Sequence, residues 1–356
     1  MSDFYDWTKT LSYDAPVTMV CTARGKGKTF GLREQCVRDF LKDGSRFCAV
    51  VRHKAKLQKV TSGFFEKLQK EGKFLDYAFK IEGAKAYITP RELYENKTPN
   101  WELIGYFVAL TEAQDTKEMT FANVRRLFLD EFILDPNDRT HFYLYDEYTK
   151  FVTIIDSVFR ENPNNENARE PRIYLIGNAL NVINPYFHIF GIYDLPPEGY
   201  SWHKGKTVLL HYDDDETYSQ AKASGTLAGR LYEMSAQSKQ NVHNKFVIRN
   251  MENVKKKSAR AIFVYGLVWR GSKFGVWADG KENVFYVNRK IPPNREDDTL
   301  ALTLEDKEFN HRIARRNERR ILALYDFFRE GKVFFDTEGT RQALFEIFAL
   351  HGARMR

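Results

Sequence analysis

Residues 17–29 constrain the fold more than any other part of the sequence. A short apolar run, Val17–Cys21, precedes Thr-Ala-Arg-Gly-Lys-Gly-Lys-Thr, which matches the phosphate-binding pattern G-x-x-x-x-G-K-[ST] except that Thr22 replaces the first glycine. Backbone N–H groups of such a loop, and of the helix that follows it, can wrap phosphate oxygens. The segment therefore predicts a strand, a phosphate-binding loop (P-loop) and a helix, in that order.

The side chains of this loop have separate expected roles. Lys28 is expected to neutralise phosphate oxygens, and the Thr29 hydroxyl to ligate Mg²⁺. Arg24 and Lys26 are either solvated loop charges or phosphate contacts, in this subunit or across an interface. The predicted nucleotide-binding residues are Thr22, Ala23, Arg24, Gly25, Lys26, Gly27, Lys28 and Thr29.

A second motif is the acidic pair at the end of an apolar run. Val124–Leu129 is followed by Asp130 and Glu131, as in a Walker B strand. In this interpretation Asp130 holds Mg²⁺ through water and Glu131 polarises the attacking water, since neighbouring side chains at a strand end point in different directions. An ordinary strand ending in acidic loop residues is the alternative, and the upstream P-loop favours the catalytic pair. The two motifs together predict a P-loop ATPase of the glutamate-assisted (ASCE) class, with ATP and Mg²⁺ at its site.

A third strand-like run, Arg172–Ile176, ends just before Asn178. A polar side chain there, beside the P-loop, could sense the γ-phosphate. An asparagine in a turn is the alternative, and without other information it is the better one.

Alternating strand and helix signals over the first 190 or so residues predict a largely parallel sheet flanked by helices. Tyr77–Ile88 is predicted as a hairpin and Phe142–Phe159 as a long helix. Leu195–Gly199 breaks the pattern. The expected organisation is an ATPase domain over 1–194, a linker region over 195–240 with some helix in 218–234, and a second domain over 241–356.

Short strands and two helices are predicted for the second domain. The strands are Ala261–Trp269, Phe274–Trp277 and Val284–Val287, in a small antiparallel sheet, and the helices are Asp306–Phe328 and Gly339–His351.

Composition excludes several classes of protein. Three cysteines without C-x-x-C spacing provide neither a disulfide framework nor a zinc site. The longest apolar stretch is far shorter than a membrane span, so a soluble, cytoplasmic chain is expected. A length of 356 residues suits two domains better than one core.

The excess positive charge lies in the C-terminal part. Residues 239–290 contain 12 Lys and Arg but only three acidic residues, which favours a polyanionic partner. A second group of arginines lies at 312–320, and of these Arg312, Arg316 and Arg319 or Arg320 are expected to share one helix face. Solvated surface charge is the alternative to phosphate contact. The candidate nucleic-acid contacts are Lys255, Lys256, Lys257, Arg260, Arg312 and Arg316.

Four segments together resemble the genome-packaging ATPase of small short-tailed phages whose linear double-stranded DNA carries a terminal protein. They are Ala23–Thr29, Leu127–Ile133, Asp156–Arg160 and Gly177–Phe187. The resemblance is strong over roughly residues 10–190, and its most distinctive segment is Asn178–Phe187. It implies a homo-oligomeric ring, expected to be a pentamer, that drives double-stranded DNA into a procapsid.

The same resemblance implies partners and further site residues. The expected partners are a scaffold RNA and the portal and capsid proteins, and the expected location is the host cytoplasm, with transient docking at the portal vertex. Arg160 matches a trans-acting arginine finger, and Lys54 and Lys117 match candidate basic residues that act across the interface. The residue pattern alone leaves Arg160 open between a finger and a surface arginine at a helix C-terminus.

The second domain is expected, from the resemblance, to have an RNase H-like α+β fold without nuclease activity. Such a nuclease needs several carboxylates around two Mg²⁺ ions, and the first strand, Ala261–Trp269, has none. A binding module is therefore predicted. Two other functions remain open for the whole chain: another P-loop remodeller such as a helicase, or a non-hydrolysing nucleic-acid adaptor.

Overall fold

The computed structural model describes residues 5–134, 143–144, 147–160, 170–178, 184–192, 196–213, 253–315 and 317–351. The chain divides into two compact units. The first comprises Met1–Asn181 and Pro196–Lys245, and the second Val182–Leu195 and Phe246–Arg356. Among the described helices, none has the length and apolar character needed to cross a bilayer.

The first unit is built on one sheet. Its strands are β1 (Val17–Cys21), β2 (Arg46–Val51), β3 (Tyr77–Glu82), β4 (Lys85–Pro90), β5 (Glu102–Ala109), β6 (Val124–Asp130), β7 (Arg172–Gly177), β8 (Gly199–His203) and β9 (Val208–Tyr212). Its described helices are α1 (Trp7–Ser12), α2 (Lys28–Asp43), α3 (Lys54–Ser62), α4 (Glu66–Lys70), α5 (Arg91–Glu95) and α6 (Glu147–Phe159).

The centre of this sheet is parallel, as the alternating pattern predicts. Over the described residues the strand order is β3-β4-β5-β2-β6-β7-β1-β9-β8, and β5, β2, β6, β7, β1 and β9 pair in parallel. One strand, β7, separates the P-loop strand β1 from the acidic strand β6, which is the arrangement of the glutamate-assisted class. The predicted fold class is therefore confirmed, including the hairpin of β3 and β4.

Helix α2 follows the P-loop because the sequence provides both of its ends. It begins after Gly27 and ends before Gly44, and both glycines have a left-handed backbone, with φ of 74° and 73°. Leu32, Cys36 and Val37 lie on its buried face against the sheet. The helix N-terminus is thereby held at the carboxyl end of β1.

The strands β8 and β9 correct the linker prediction. Gly199–Tyr212 was assigned to a linker region at 195–240, but β9 pairs with β1 along its whole length and β8 pairs with β9. The physical reason is burial, since Val208, Leu209 and Leu210 are fully buried beside β1. The helix predicted at 218–234 lies outside the described residues. The helix predicted at Phe142–Phe159 is observed only from Glu147 onward, and the two described residues before it, Tyr143 and Leu144, are not helical.

The second unit has a mixed sheet rather than a purely antiparallel one. Its described strands are β10 (Ile262–Trp269), β11 (Ser272–Asp279), β12 (Val284–Asn288), β13 (Thr299–Ala301), β14 (Arg312–Ile313) and β15 (Val333–Phe335), and its described helices are α7 (Pro185–Ile189), α8 (Arg319–Arg329) and α9 (Glu338–Leu350).

The order of these strands in the described residues is β14-β13-β10-β11-β12-β15. Strands β10, β11 and β12 are antiparallel, whereas β13 and β14 run parallel to β10. The antiparallel strands β10–β12, with β13 and β14 added beside β10 and parallel to it, have the arrangement of the RNase H fold. Ile321 and Leu324 of α8, with Leu344 and Ile347 of α9, pack with this sheet in one core.

The helix predicted over Asp306–Phe328 is wrong in its first half. Arg312 and Ile313 form β14, and α8 begins only at Arg319. Because Arg312 lies on a strand, it does not share a helix face with Arg319 and Arg320. Arg316 lies outside the described residues.

Candidate active site

The P-loop connects β1 to α2 with a backbone that two of its glycines make possible. Gly25 and Gly27 have φ angles of 96° and 74°. Residues that carry a Cβ atom rarely adopt this region of backbone conformation. Thr22 does not have a positive φ. The replacement of the usual first glycine is therefore compatible with this loop, because that position does not need the left-handed conformation.

Lys28 lies under the loop with its ammonium group buried. Its Nζ donates to the carbonyl oxygens of Thr22 and Ala23, at 2.8 and 2.9 Å, and to Oδ1 of Asn178, at 3.2 Å. Burial lowers the pKa of Lys28 to about 8, although Cys21 and Asp130 oppose that shift. Asn178, at the end of β7, thus contacts the P-loop lysine directly.

Thr29 and Asp130 meet as the two motifs predict. The Thr29 hydroxyl donates to Oδ2 of Asp130 at 2.8 Å across the intervening strand β7. Burial raises the pKa of Asp130 above its ordinary value, and the Thr29 hydroxyl and the charge of Arg33 oppose this. The pair places a hydroxyl and a carboxylate oxygen side by side, which are hard ligands of the kind that Mg²⁺ prefers.

Glu131 leaves the end of β6 in an unusual backbone conformation, with φ of 56°. Its carbonyl oxygen accepts two hydrogen bonds from the guanidinium of Arg52, both at 3.2 Å. Arg52 is in turn paired with Glu147 at the start of α6, through contacts of 2.8 and 3.0 Å. This buried ion pair holds the main chain of Glu131, while its side chain remains exposed at the cleft.

These groups surround one cleft of about 580 Å³. Its walls include P-loop backbone, Lys28, Thr29, both acidic residues and Asn178, and further residues line the rest: Tyr5, Arg24, Phe30, Gly31, Glu34, Lys67, Glu71, Lys73, Ile176 and Gly177. The volume lies in the range of pockets that bind small molecules.

Two predicted loop cations behave differently. Arg24 is exposed and lines the cleft. Lys26 is buried, is not among the described residues that line the cleft, and pairs with Asp213 at 2.6 Å. Burial excludes the interpretation of Lys26 as a solvated loop charge, and its contact with phosphate stays a prediction.

Several residues of the site were missed by the sequence analysis. Asp213 comes 187 residues after Lys26, and Arg52 and Glu147 belong to no recognised motif. Arg33 was also missed, although its position one helical turn after Thr29 is a usable signal, since residues at i and i+4 share a helix face. Its guanidinium lies 4.4 Å from the ring centroid of Phe64.

The three predicted trans-acting residues are not among the described residues that line the cleft, and the elements that carry them contact one another or a shared turn. Lys54 begins α3, Lys117 lies on the 3₁₀ turn Asp115–Glu118, and Arg160 follows α6. Helix α6 packs against that turn and against the neighbouring turn Leu110–Glu112, which α3 also contacts. The side chains of Lys54 and Arg160 are 73% and 52% exposed, and Lys117 is exposed.

The basic residues of the second unit are partly paired. Lys255, Lys256 and Arg260 are exposed, and Lys255 and Arg260 lie 3.9 and 3.4 Å from Glu282. Lys257 lies over the ring of Trp277, 4.4 Å from its centroid, and Arg312 pairs with Glu318 at 3.3 Å.

ATP and Mg²⁺ fit the residues present. Within the described residues, the buried ammonium of Lys28 donates only to neutral acceptors, so an anionic phosphate would give it a direct ionic partner. The paired oxygens of Thr29 and Asp130 would hold the metal. Mg²⁺ bound there would neutralise charge on phosphate oxygens.

The fold and the cleft define a P-loop ATPase of the glutamate-assisted class. Residues 1–352 match the model of the family described as podovirus DNA encapsidation protein (Gp16), and the chain belongs to that family. The resemblance stated from the motifs is thereby confirmed.

Two relatives are similar over nearly the whole chain. The DNA packaging protein of Bacillus phage phi29 is 27% identical over 347 residues, which are 97% of each chain. That of Bacillus phage B103 is 26% identical over 340 residues, covering 95% of this chain and 98% of the relative.

Two solved structures share the fold. A chain of the bacteriophage phi29 viral genome packaging motor assembly matches with a TM-score of 0.69 and 25% identity, covering 98% of this chain and 100% of that one. The phi28 gp11 DNA packaging motor matches with a TM-score of 0.61 at 13% identity, covering 100% and 99%.

Proposed function

We propose that this chain hydrolyses ATP to drive double-stranded DNA into a viral procapsid, as one subunit of a homomeric ring. The observation that carries the ATPase proposal is the contact of Thr29 with Asp130, with Glu131 next in the chain and Lys28 buried beneath the P-loop. Membership of the DNA encapsidation family, and relatives that are named DNA packaging proteins, support DNA as the substrate that is moved.

The residues that a subunit contributes to its own cleft have separate roles, which we call cis roles. Lys28 binds phosphate oxygens, Thr29 and Asp130 hold Mg²⁺, and Asn178 senses the phosphate through its contact with Lys28. The carboxylate of Glu131 orients and polarises the attacking water. The fixed backbone of Glu131, held by Arg52, keeps that carboxylate at the mouth of the cleft.

Lys54, Lys117 and Arg160 act on the cleft of a neighbouring subunit. Their position around the same two 3₁₀ turns and their exposure support this role. A guanidinium supplied in trans would stabilise charge on the transferred phosphoryl group. The ring, which we take to be a pentamer, would then contain composite sites.

The remaining partners belong to the same proposal. The likeness to a chain of the phi29 packaging motor assembly supports a place in such a motor, and transient docking at the portal vertex in the host cytoplasm is part of the same proposal. The basic residues of the second unit, Lys255–Lys257, Arg260 and Arg312 among those described, would contact phosphates of DNA or of a scaffold RNA. Arg316 remains part of that prediction.

The cis roles are tested with two variants that fail in different ways. Lys28→Ala should lose ATP binding, because Lys28 contacts the ground-state phosphates, whereas Glu131→Gln should bind ATP and lose hydrolysis. Binding is measured with a fluorescent ATP analogue and hydrolysis by phosphate release with double-stranded DNA present. Glu95→Gln, at an exposed glutamate of α5, is the matched control. Hydrolysis at the wild-type rate by Glu131→Gln would remove Glu131 from the catalytic role.

The trans role is tested by mixing. Arg160→Ala alone should lose about 10³-fold in hydrolysis rate, and activity should return when Arg160→Ala and Glu131→Gln subunits are mixed, because some interfaces then combine an intact Glu131 with an intact Arg160. Inactivity at every ratio, with both variants still assembling, would show that Arg160 does not act in trans.

The same DNA-stimulated assay separates the alternatives. Stimulation by double-stranded DNA without strand separation supports the packaging motor. Strand separation would indicate a helicase, and bound ATP without turnover a nucleic-acid adaptor.

A further inference from the structure

Asp213 is attached to the P-loop at two points. Its backbone N–H donates to the carbonyl oxygen of Cys21, at 3.1 Å, and so extends the β1–β9 pairing to the last residue before the loop. Its carboxylate accepts from Nζ of Lys26, in the middle of the loop, at 2.6 Å. The side chains are 8% exposed for Lys26 and 27% for Asp213.

Lys26 is fixed through its main chain as well. Its carbonyl oxygen accepts from the backbone N–H of Tyr5 at 2.7 Å, and the Tyr5 hydroxyl lies 2.8 Å from Nδ1 of His211 on β9. The loop is therefore connected to β9 through both the ammonium group and the carbonyl group of one residue. Lys26 is flanked by Gly25 and Gly27, and glycine is the residue type that loses the most freedom when a conformation is imposed.

The charges at this position favour the same arrangement. Lys26 and Lys28 are two cations on one short loop, and the effect of Lys26 on the pKa of Lys28 is to lower it, whereas that of Asp213 is to raise it. Asp213 therefore offsets repulsion that would otherwise act against placing Lys28 beneath the loop.

We propose that Asp213 is a positioning residue for the nucleotide phosphates, which it serves by clamping the P-loop in its binding conformation through Lys26. This inference rests on the proposed ATPase function and adds to it a residue that directly follows β9. Strand β9 lies on the side of β1 away from the catalytic acids. A loop that is already held in place binds phosphate without the entropic cost of ordering it.

The test measures nucleotide affinity without turnover, by titrating the full-length protein with a fluorescent ATP analogue and Mg²⁺ in the absence of DNA. Asp213→Asn and Lys26→Met should each raise Kd about tenfold. The double variant should have a Kd no higher than that of the weaker-binding single variant, because both changes remove the same contact. Asp213→Glu, which keeps the carboxylate, should stay within about threefold of wild type.

The matched control is Asp14→Asn, which makes the same chemical change at an exposed carboxylate that pairs with Arg172, and it should bind ATP as the wild type does. With DNA present, the Asp213 variants should show a raised KM and a kcat within about twofold of wild type, because ground-state binding is what they lose. If Asp213→Asn does not fold, Lys26→Met gives the result, since it leaves no buried cation unpaired.

Three outcomes would overturn the proposal: wild-type affinity in Asp213→Asn, additive losses in the double variant, or a loss of kcat with Kd unchanged. Additive losses would mean that Lys26 contacts phosphate itself. The proposed function fails separately, if the wild-type protein binds no ATP or if Glu131→Gln hydrolyses normally. If ATP binding does not depend on Asp213, only the proposal that Asp213 clamps the P-loop is refuted.

Discussion

The buried ion pair of Arg52 and Glu147 holds the backbone of the catalytic glutamate, so its loss should affect both stability and hydrolysis. The side chains are 6% and 0% exposed, and two hydrogen bonds of 2.8 and 3.0 Å join them. Glu147→Gln removes the negative charge that pairs with the buried guanidinium of Arg52. Breaking one partner of such a pair costs about 3–5 kcal/mol.

The expected shift in unfolding temperature follows from this cost. The first unit has more than 200 residues, and for units of that size about 1 kcal/mol moves the midpoint by about 2–4 °C. Glu147→Gln should therefore lower the midpoint of this unit by roughly 6–20 °C. Hydrolysis should fall as well, since Arg52 also donates to the Glu131 carbonyl.

The assay is thermal and urea unfolding of the full chain, with two further variants as comparisons. Glu66→Gln removes an exposed pair with Lys70 and should leave stability close to that of the wild type, because solvent screens such a pair. Replacing both partners, as Arg52→Met with Glu147→Leu, should recover most of the stability but not the hydrolysis. A Glu147→Gln protein within about 1 kcal/mol of wild type would refute the reasoning.

Three further predictions concern other parts of the chain. Burial lowers the pKa of His211 to about 4 from its ordinary 6.5, so the unfolded chain binds a proton that the folded chain excludes, and stability is lost as the pH falls through that range. Urea unfolding should show that the free energy of unfolding is about 1–2 kcal/mol lower at pH 5 than at pH 7.5, a figure already reduced for the partial exposure of the ring. His211→Gln should remove this difference, and a His211→Gln protein with the pH dependence of the wild type would contradict its assignment to His211. Gly275→Ala would place a Cβ 2.1 Å from the Lys290 carbonyl oxygen and should destabilise the second unit by about 2 kcal/mol in urea unfolding, whereas Gly280→Ala, in open space, should cost little. Thr22→Gly should leave ATP affinity within about twofold and lower stability by about 0.5–1 kcal/mol, because this position needs no left-handed backbone; a large gain in affinity would show that the threonine impairs the loop.

The centre of the site was predictable because its signals are local. Val17–Thr29 contains a strand, a turn and a helix start within one segment, and Val124–Glu131 combines an apolar strand with two carboxylates. Parallel strands bring their carboxyl ends to one edge of a sheet, so the meeting of Thr29 and Asp130 follows from the fold class.

The contacts that support the site could not be predicted in the same way. Arg52 and Glu147 are 95 residues apart and Lys26 and Asp213 are 187 apart, and nothing in either local pattern indicates its partner. Asp213 begins an acidic run after a proline-rich break, which resembles a linker as long as the pairing of β9 with β1 is unknown.

The arginines of the second unit show how a periodic pattern can mislead. Arg312 and Arg319 have a spacing that suits a helix face, but Ile313 belongs to β14, and the backbone N–H of Ala314 donates to Ala301 on β13. Sheet pairing between residues distant in sequence overrides the local spacing. Arg312, Arg319 and Arg320 remain exposed. Contact of Arg312 with phosphate therefore stays a prediction, whereas the predicted helix face shared by these arginines is wrong.

The first strand of the second unit has no carboxylate of the kind a nuclease needs, and two acidic residues elsewhere in the unit, Asp279 and Asp306, hold turns. Asp279 accepts from Ser258 and from the backbone N–H groups of Lys281 and Glu282. Asp306 accepts from the backbone N–H groups of the turn at Arg270 and Gly271. Both carboxylates are thus committed to holding turns, and no acidic cluster suited to a metal is found in the described residues. Two-metal cleavage needs carboxylates that are free to converge on the ions. The commitment of Asp279 and Asp306 to turns therefore agrees with the prediction of a binding module, and the lack of nuclease activity stays a prediction.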